Sequence, residues 1–276
     1  MILRTLEPEC QLRPFVDSIW VFESDHGILP ESGGMIVPNG KVRIILPYKN
    51  SLFGNKPGGN RVRPENLIYL VGPKDEPVTI GSPPGRTALL IIQLTYKGGY
   101  RFTDGALSEL TNRLVSFGEL YGQQGCELQE ELTGAENVYA KISLIQQFLT
   151  RKLLRTRKEH MIVDYVTETI MQNEGLVEMK KMEKKTGYSK RYLELLFQHY
   201  IGLSPKTLAC ITRFQKFYHL CINNNSRGSY KNSLHSFYYD QSHFIKEFKT
   251  YTGYAPEKYM EINNEFGRIL SRRKTN

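Results

Sequence analysis

The sequence predicts an α+β fold, in which an N-terminal β-sandwich or barrel with closing helices is followed by an all-α domain. Short apolar runs separated by Gly, Pro and Asn fill residues 15–95, as in antiparallel β proteins. From about residue 104 onward, apolar residues recur at three- and four-residue steps, which is the spacing of helices. The C-terminal half also contains an internal repeat. At 276 residues the chain is long enough for two domains, each with its own core.

The predicted strands are four apolar runs, at residues 19–22, 42–46, 67–71 and 88–94. Strong turn signals lie between them, at 32–34, 38–40, 56–60 and 82–85, so no helix is expected in this stretch.

The predicted helices that close the first domain carry two apolar stripes. The stripes consist of Leu107, Leu110, Leu114 and Val115, and of Ile142, Ile145, Leu149 and Leu153. The charged segment 151–158 is a connector, helical or flexible. We therefore expect a β-rich domain at residues 1–155 and a helical domain at 156–276.

The net charge of +9 is concentrated in the second half. Up to Arg155 there are 17 Lys and Arg against 16 Asp and Glu, and after it 20 against 12. This asymmetry suits a polyanionic partner, although a solvated basic surface would give the same count. No apolar run is long enough to span a membrane, and the N-terminus lacks the features of a secretory signal, so a cytoplasmic location is expected.

Cysteine usage and motif content argue against metal and enzyme chemistry. The four cysteines form no CxxC pair, so neither a zinc ribbon nor a disulfide framework is expected: Cys10, Cys126, Cys210 and Cys221. His26 is the only histidine before residue 156, and the sequence contains no Gly-x-Ser-x-Gly motif, phosphate-binding loop or dinucleotide-binding fingerprint. We expect no catalytic residue, no metal site and no cofactor.

The repeat in the second half becomes visible when the chain is shifted by 51 residues. Five residues then coincide with five others: Phe197, Tyr200, Gly202, Pro205 and Leu208 with Phe248, Tyr251, Gly253, Pro256 and Tyr259. In each copy the aromatic residues mark the buried face of a helix. Gly202 and Gly253 suit a left-handed residue at the end of that helix, and Pro205 and Pro256 suit the first turn of the next.

Both repeated helices have a predicted N-cap, Ser189 in the first and Asp240 in the second. Upstream of Ser189, residues 177–187 predict a helix that ends in the turn glycine Gly187. The pattern is therefore helix, turn, helix.

Residues 176–260 resemble the paired DNA-binding domain of AraC-type bacterial transcription regulators. The resemblance rests on residues 187–193, 202–208, 213–215 and 239–249. It implies two helix-turn-helix units joined by a linker helix from Pro205 to about Asn223, with each second helix in a neighbouring major groove of duplex DNA. The resemblance is also compatible with binding of RNA polymerase and with formation of a homodimer.

The N-terminal half resembles, more weakly, the cupin-like sensory domain of some members, through residues 38–40, 71–73 and 96–99. This implies control by a small-molecule effector that the sequence does not identify. Trp20, Phe22 and Tyr69 would either line an effector pocket or belong to the core.

In the first unit, four side chains are expected to face outward near the start of the recognition helix. The Arg191 guanidinium can bond both major-groove acceptors of guanine, while Lys190 suits phosphate. Glu194 is either a cytosine contact or a helix-surface charge. Leu195 can make only apolar contact, for example with a thymine methyl group.

In the second unit, the outward residues are expected to be Gln241, Ser242, Ile245 and Lys246, and His243 and Lys249 are further candidates for DNA contact. Gln241 suits adenine, whereas Lys249 suits phosphate. His243 either contacts phosphate or is a neutral hydrogen-bonding group on the helix surface. Lys206 and Arg213 are expected to hold the DNA backbone near helix termini.

Two segments depart from the family pattern. Glu183 stands where alanine is usual, which predicts looser helix packing. Residues 227–237 are poor in apolar side chains and place Phe237 at a usual glycine. This predicts a short or poorly ordered supporting helix before the second recognition helix, and weaker DNA binding by the second unit.

Two other classes of function were considered. A cupin-type metal-dependent enzyme is the main alternative for the N-terminal domain, but it requires a cluster of His and carboxylate ligands. Binding of RNA or a membrane surface by the basic half is a third interpretation, and the paired helix-turn-helix spacing favours duplex DNA over both.

Overall fold

The N-terminal half consists of two open antiparallel sheets packed face to face. The computed structural model describes residues 1–28, 34–56, 59–156, 158–223, 237–238, 240–262, 264 and 266–268. The strands are β1 Ile2–Leu6, β2 Val16–Ser24, β3 Met35–Ile36, β4 Arg43–Lys49, β5 Leu52–Lys56, β6 Gly59–Arg63, β7 Tyr69–Val71, β8 Val78–Gly81, β9 Thr87–Leu94 and β10 Leu114–Ser116. Their order is β1-β2-β9-β4-β7-β10 in the larger sheet and β3-β8-β5-β6 in the smaller. The predicted sandwich is confirmed, and its sheets do not close into a barrel in the part of the chain that the structure describes.

Strand β9 forms the centre of this half, because it pairs with β2 on one side and β4 on the other and is buried along its whole length. Such a two-sided position explains its near-continuous run of Leu and Ile. Trp20 and Phe22 of β2 pack in one core cluster with Leu89 and Ile91 of β9. Tyr69 is also buried, so the three aromatic residues considered for an effector pocket are core residues.

The helix predicted through Leu114 and Val115 is wrong. A short 3-10 helix at Leu107–Leu110 ends before Asn112, whose positive φ of 58° breaks the helical path. The chain then forms β10, which pairs antiparallel with β7 and buries Val115.

The described residues also contain α-helices, and the bounds of ten of them follow. They are α1 Tyr96–Phe102, α2 Phe117–Tyr121, α3 Gln123–Gly134, α4 Val138–Arg155, α5 Met161–Gln172, α6 Met179–Thr186, α7 Lys190–Tyr200, α8 Pro205–Asn223, α9 Gln241–Thr252 and α10 Pro256–Glu261. The predicted helix around 142–153 lies within α4, and α8 matches the predicted linker helix. None of the helices in the described residues has the length and apolar character that crossing a membrane requires.

The helices before and after residue 155, where the domain boundary was predicted, pack against different partners. Helix α4 packs on α1 and α3, whereas α5 packs on α7 and α8. The buried side chains of the two halves nevertheless form one continuous cluster, so the separate cores suggested by chain length are joined.

Candidate nucleic-acid interface

The first helix-turn-helix unit consists of α6 and α7, joined by a turn that contains a left-handed glycine and two side-chain hydrogen bonds. Gly187 ends α6 in the left-handed conformation with φ 74°. Ser189 caps α7 as predicted, since its side chain accepts a hydrogen bond from the Tyr192 N–H. Glu183 was expected to loosen the packing, but its carboxylate accepts a hydrogen bond of 2.6 Å from the Lys190 N–H. It therefore satisfies a free donor at the start of α7.

Helix α7 buries one face and presents the other to solvent. Leu193 and Phe197 are buried. Of the side chains predicted to face DNA, three are exposed and one is half-buried: Lys190, Arg191, Leu195 and Glu194. The Glu194 carboxylate lies 3.8 Å from the Lys190 Nζ, so this pair reduces the local positive charge, while Arg191 is exposed beside it.

The structure adds two features to this face that the sequence analysis missed. Helix α6 exposes four basic side chains: Lys180, Lys181, Lys184 and Lys185. In helix-turn-helix proteins the first helix crosses the DNA backbone. The two Lys-Lys pairs of α6 could therefore have been recognised from the sequence as phosphate contacts. Tyr188 and Tyr192 stack at 4.8 Å between ring centroids, and both remain about 40% exposed (40% and 42%).

The second unit presents α9 in the same way. Asp240 caps it as predicted, because its Oδ1 accepts a 2.7 Å hydrogen bond from the His243 N–H, and Gly253 ends it at φ 77°. Phe244 and Phe248 are buried. The five side chains predicted to contact DNA are all exposed, and so is Ile245, which was also predicted to face outward: Gln241, Ser242, His243, Lys246 and Lys249.

The helix predicted to support α9 falls mostly outside the described residues, which omit 224–236 and Tyr239. Phe237, at the end of that segment, is half-buried and lies 6.3 Å from Phe217 of α8 between ring centroids.

Of the two residues predicted to hold the DNA backbone on α8, Lys206 is exposed in the first turn. Arg213 is placed differently. Its guanidinium forms an ion pair with Glu247 of α9 and lies 5.0 Å from the centroid of the Tyr238 ring. The Tyr238 hydroxyl donates a 2.8 Å hydrogen bond to the same carboxylate, and burial together with this charge raises the pKa of Tyr238. Arg213 therefore fastens α9 to α8 rather than facing outward.

The N-terminal half contacts the first unit at the end of α7. Gly202 is left-handed, and its carbonyl accepts a 2.6 Å hydrogen bond from the Thr111 hydroxyl. A Cβ at Gly202 would lie 2.8 Å from the Leu107 carbonyl oxygen. Nearby, the Gln215 amide of α8 donates to the Pro38 carbonyl. These contacts leave the outer faces of α7 and α9 exposed to solvent.

Comparison with known proteins matches two family models to this chain. Residues 182–262 match a model described as a helix-turn-helix domain. Residues 4–116 match a domain of unknown function, DUF6597. In the described residues, no group of three or more His, Cys, Asp or Glu side chains is placed to hold a metal ion.

One curated protein is similar to this chain in sequence, and one solved structure is similar to it in fold. The chain is 26% identical over 125 residues to the F1 operon positive regulatory protein of Yersinia pestis, a match that spans 45% of this chain and 40% of that protein. The structure is similar to that of ToxT from Vibrio cholerae, with a TM-score of 0.51 and 10% identity over 88% of this chain and 97% of ToxT. These findings support a DNA-binding regulator and give no support to the enzyme alternative.

Proposed function

We propose that this chain, in which residues 182–262 form an AraC-type helix-turn-helix domain, is a sequence-specific DNA-binding transcription regulator that acts in the cytoplasm. The observation that carries the proposal is the pair of capped helices, α7 and α9, whose mostly polar outer faces are exposed while their apolar inner faces are buried. Two such helices, joined by α8, suit two neighbouring segments of a major groove. The excess of basic residues after Arg155 provides attraction to phosphate.

The exposed side chains divide into base-reading and backbone-binding groups. Arg191 in the first unit and Gln241 in the second carry planar groups suited to guanine and adenine, respectively. Leu195, which is 61% exposed, can pack on a thymine methyl group. Around them lie the side chains suited to phosphate or to less specific contacts: Lys190, Glu194, Lys206, Ser242, His243, Lys246 and Lys249.

Regulation of transcription requires further partners. We assign RNA polymerase and a second copy of the chain as protein partners, and a small-molecule effector to the N-terminal half. The contacts of Gly202 and Gln215 with that half provide a physical route by which an effector could bias the first unit.

The test is selection of bound duplexes from a random DNA library by the full-length protein. We expect enrichment of two short motifs whose centres lie about one helical turn apart. If only one motif is enriched, only one of the two units recognises base sequence. If no motif is enriched at any salt concentration, the protein does not bind DNA sequence-specifically.

A further inference from the structure

An apolar strip runs from the turn before α7 along one edge of the outer face of that helix. It consists of Tyr188, Tyr192 and Leu195, whose side chains are 40%, 42% and 61% exposed. At about 100° per residue, the outward side chains of α7 follow one another around the helix in the order Lys190, Glu194, Arg191, Leu195 and Tyr192. One edge of the outer face is therefore charged, the other is apolar, and Arg191 lies between them.

The two tyrosines of the apolar strip restrain each other. Their rings stack with centroids 4.8 Å apart and an angle of 26° between the ring planes. The Tyr192 N–H also donates a 3.3 Å hydrogen bond to the Ser189 side chain, which caps the helix. Because these rings are restrained before any partner binds, less conformational entropy is lost on association.

The charges around the apolar strip indicate the kind of partner. Arg191 lies beside it, and α6 exposes four further cations across the turn: Lys180, Lys181, Lys184 and Lys185. Such an excess of positive charge attracts a polyanion. The main apolar face of α7, which contains Leu193 and Phe197, is buried in the protein, so the helix has no free face to insert into a membrane surface. The partner should therefore combine dense negative charge with small apolar groups.

Among polyanions, duplex DNA presents small apolar groups where a recognition helix binds. The C5-methyl group of thymine projects into the major groove. Uracil in RNA lacks this methyl group, and the major groove of an RNA helix is too deep and narrow for side chains to read. Residues three apart on a helix have Cβ atoms about 5–6 Å apart. Tyr192 and Leu195 can therefore contact methyl groups on neighbouring base pairs.

The second unit carries polar side chains at the equivalent positions. A shift of 51 residues places His243 at the position of Tyr192 and Lys246 at that of Leu195. Both His243 and Lys246 are exposed. The apolar strip is therefore a property of the first unit and not of the repeated fold.

We propose that the apolar strip makes the first unit a reader of C5-methyl groups, in which Leu195 and Tyr192 contact the methyl groups of two neighbouring base pairs and Tyr188 positions Tyr192. This inference rests on the proposed function, because it concerns the bases that α7 recognises. Since Arg191 lies beside Leu195 on the helix, the two methyl groups should adjoin the guanine that Arg191 binds. The same contacts accept 5-methylcytosine, so methylation of a cytosine at either position should strengthen binding.

Replacement of thymine by deoxyuridine tests the proposal, because it removes only the C5-methyl group. Each thymine of the selected duplex is replaced in turn, and the affinity of the full-length protein is measured by fluorescence anisotropy. We expect about a fourfold loss at each of two neighbouring base pairs, which corresponds to one buried methyl-sized group. Where cytosine is placed at one of these positions, its 5-methyl derivative should bind about fourfold more tightly than cytosine itself.

Variants of the apolar strip assign the two contacts. Leu195→Ala should remove the uracil effect at one position and Tyr192→Ala at the other, whereas Tyr192→Phe should retain it because the ring remains. Tyr188→Ala should reduce the effect only at the position that Tyr192 contacts. Ile245→Ala is the matched control, since it shortens an exposed apolar side chain of the other recognition helix, and it should leave both effects unchanged. Thermal unfolding verifies that each variant is folded.

The outcomes separate this proposal from the DNA-binding function. If the selected duplex lacks thymines in two neighbouring base pairs, or if uracil weakens wild-type binding at none of them, the methyl reader is overturned while the DNA-binding function stands. The same conclusion follows if Leu195→Ala and Tyr192→Ala both retain the full uracil effect, because the methyl groups are then contacted by other residues. If no duplex is selected at all, the DNA-binding function is overturned and this proposal with it.

Discussion

Arg191 and Lys206 are both exposed cations, but their expected contacts with DNA differ. The guanidinium fork of Arg191 can recognise guanine, whereas Lys206 provides a point charge for phosphate. Arg191→Ala should therefore cost about 1–3 kcal/mol of discrimination between the selected duplex and random DNA. Lys206→Ala should weaken binding to both duplexes alike. Fluorescence anisotropy on the two duplexes at one salt concentration measures the difference, and equal loss of discrimination in both variants would refute these roles.

Arg213 is predicted to matter for stability. Its ion pair with Glu247 is mostly buried, with side-chain exposures of 17% and 10%. Arg213→Ala would leave the Glu247 carboxylate without its cation, which costs about 3 kcal/mol for a buried pair. Urea denaturation measures the change in the free energy of unfolding.

Lys216→Ala is the control on the same helix, because its ion pair with Glu174 is more exposed, at 29% and 41%. We expect this control to cost under about 1 kcal/mol. If the two variants are equally stable, the buried pair does not fasten α9 to α8.

The caps of the recognition helices were predictable, whereas the role of Arg213 was not. Ser189 and Asp240 bond N–H groups three residues along the chain, so the sequence contains the whole interaction. Arg213 pairs with a residue 34 positions away, and only the packing of two helices brings them together. The position of Arg213 on the linker helix therefore did not reveal that its side chain is mostly buried against α9.

At the scale of secondary-structure elements, Gly202 and Gly253 form a natural pair for experiment. They occupy equivalent positions in the two repeats, with φ 79° and 77°. An added Cβ would meet nothing within 4 Å at Gly253, but the Leu107 carbonyl at 2.8 Å at Gly202. Gly253→Ala should cost about 1–2 kcal/mol for the left-handed conformation alone.

Gly202→Ala should cost more than Gly253→Ala, because it also separates α7 from the N-terminal half. Thermal unfolding of the two variants measures the excess, and limited proteolysis reports whether the contact between the halves has loosened. Equal destabilisation would mean that the Gly202 contact contributes nothing to docking of the two halves.

Helix α8 and strand β10 show why some elements were predicted and others were not. Helix α8 has a local start signal, since Ser204 caps it and Pro205 opens it. The residues of β10 follow a helical spacing after Leu107, but the strand is determined by pairing of Val115 with Leu70. Such a long-range partner overrides local periodicity.

At the scale of the whole molecule, the contacts between the two halves could not be predicted. The sequence indicated two domains, but it contained no signal that Phe266 would enter the core beside Phe22 or that Gln215 would bond Pro38. Both contacts depend on how the halves dock. They place the N-terminal sandwich in direct contact with the linker helix and with the segment that follows the second unit.

The spacing of the two units leads to the last prediction. Helix α8 has 19 residues, so it spans about 28 Å at about 1.5 Å per residue. Neighbouring major-groove segments on one face of DNA lie about 34 Å apart, and modest bending can accommodate the difference. One copy of the chain should therefore protect two adjacent segments of the selected duplex in a hydroxyl-radical footprint.

Loss of the DNA contacts of α9 should abolish protection of only one of these segments. The double substitution Gln241→Ala and Lys246→Ala changes two exposed side chains of α9 and leaves its buried face and its Asp240 cap intact. Because α7 retains its own contacts, protection should persist over its segment and disappear over the other, while total affinity falls. Lys258→Ala is the control, since Lys258 is exposed on α10 rather than on a recognition helix, and it should preserve both segments. If the double variant loses protection of both segments, the two units can bind DNA only together. If the wild type protects only one segment, a single chain does not bind two neighbouring major-groove segments.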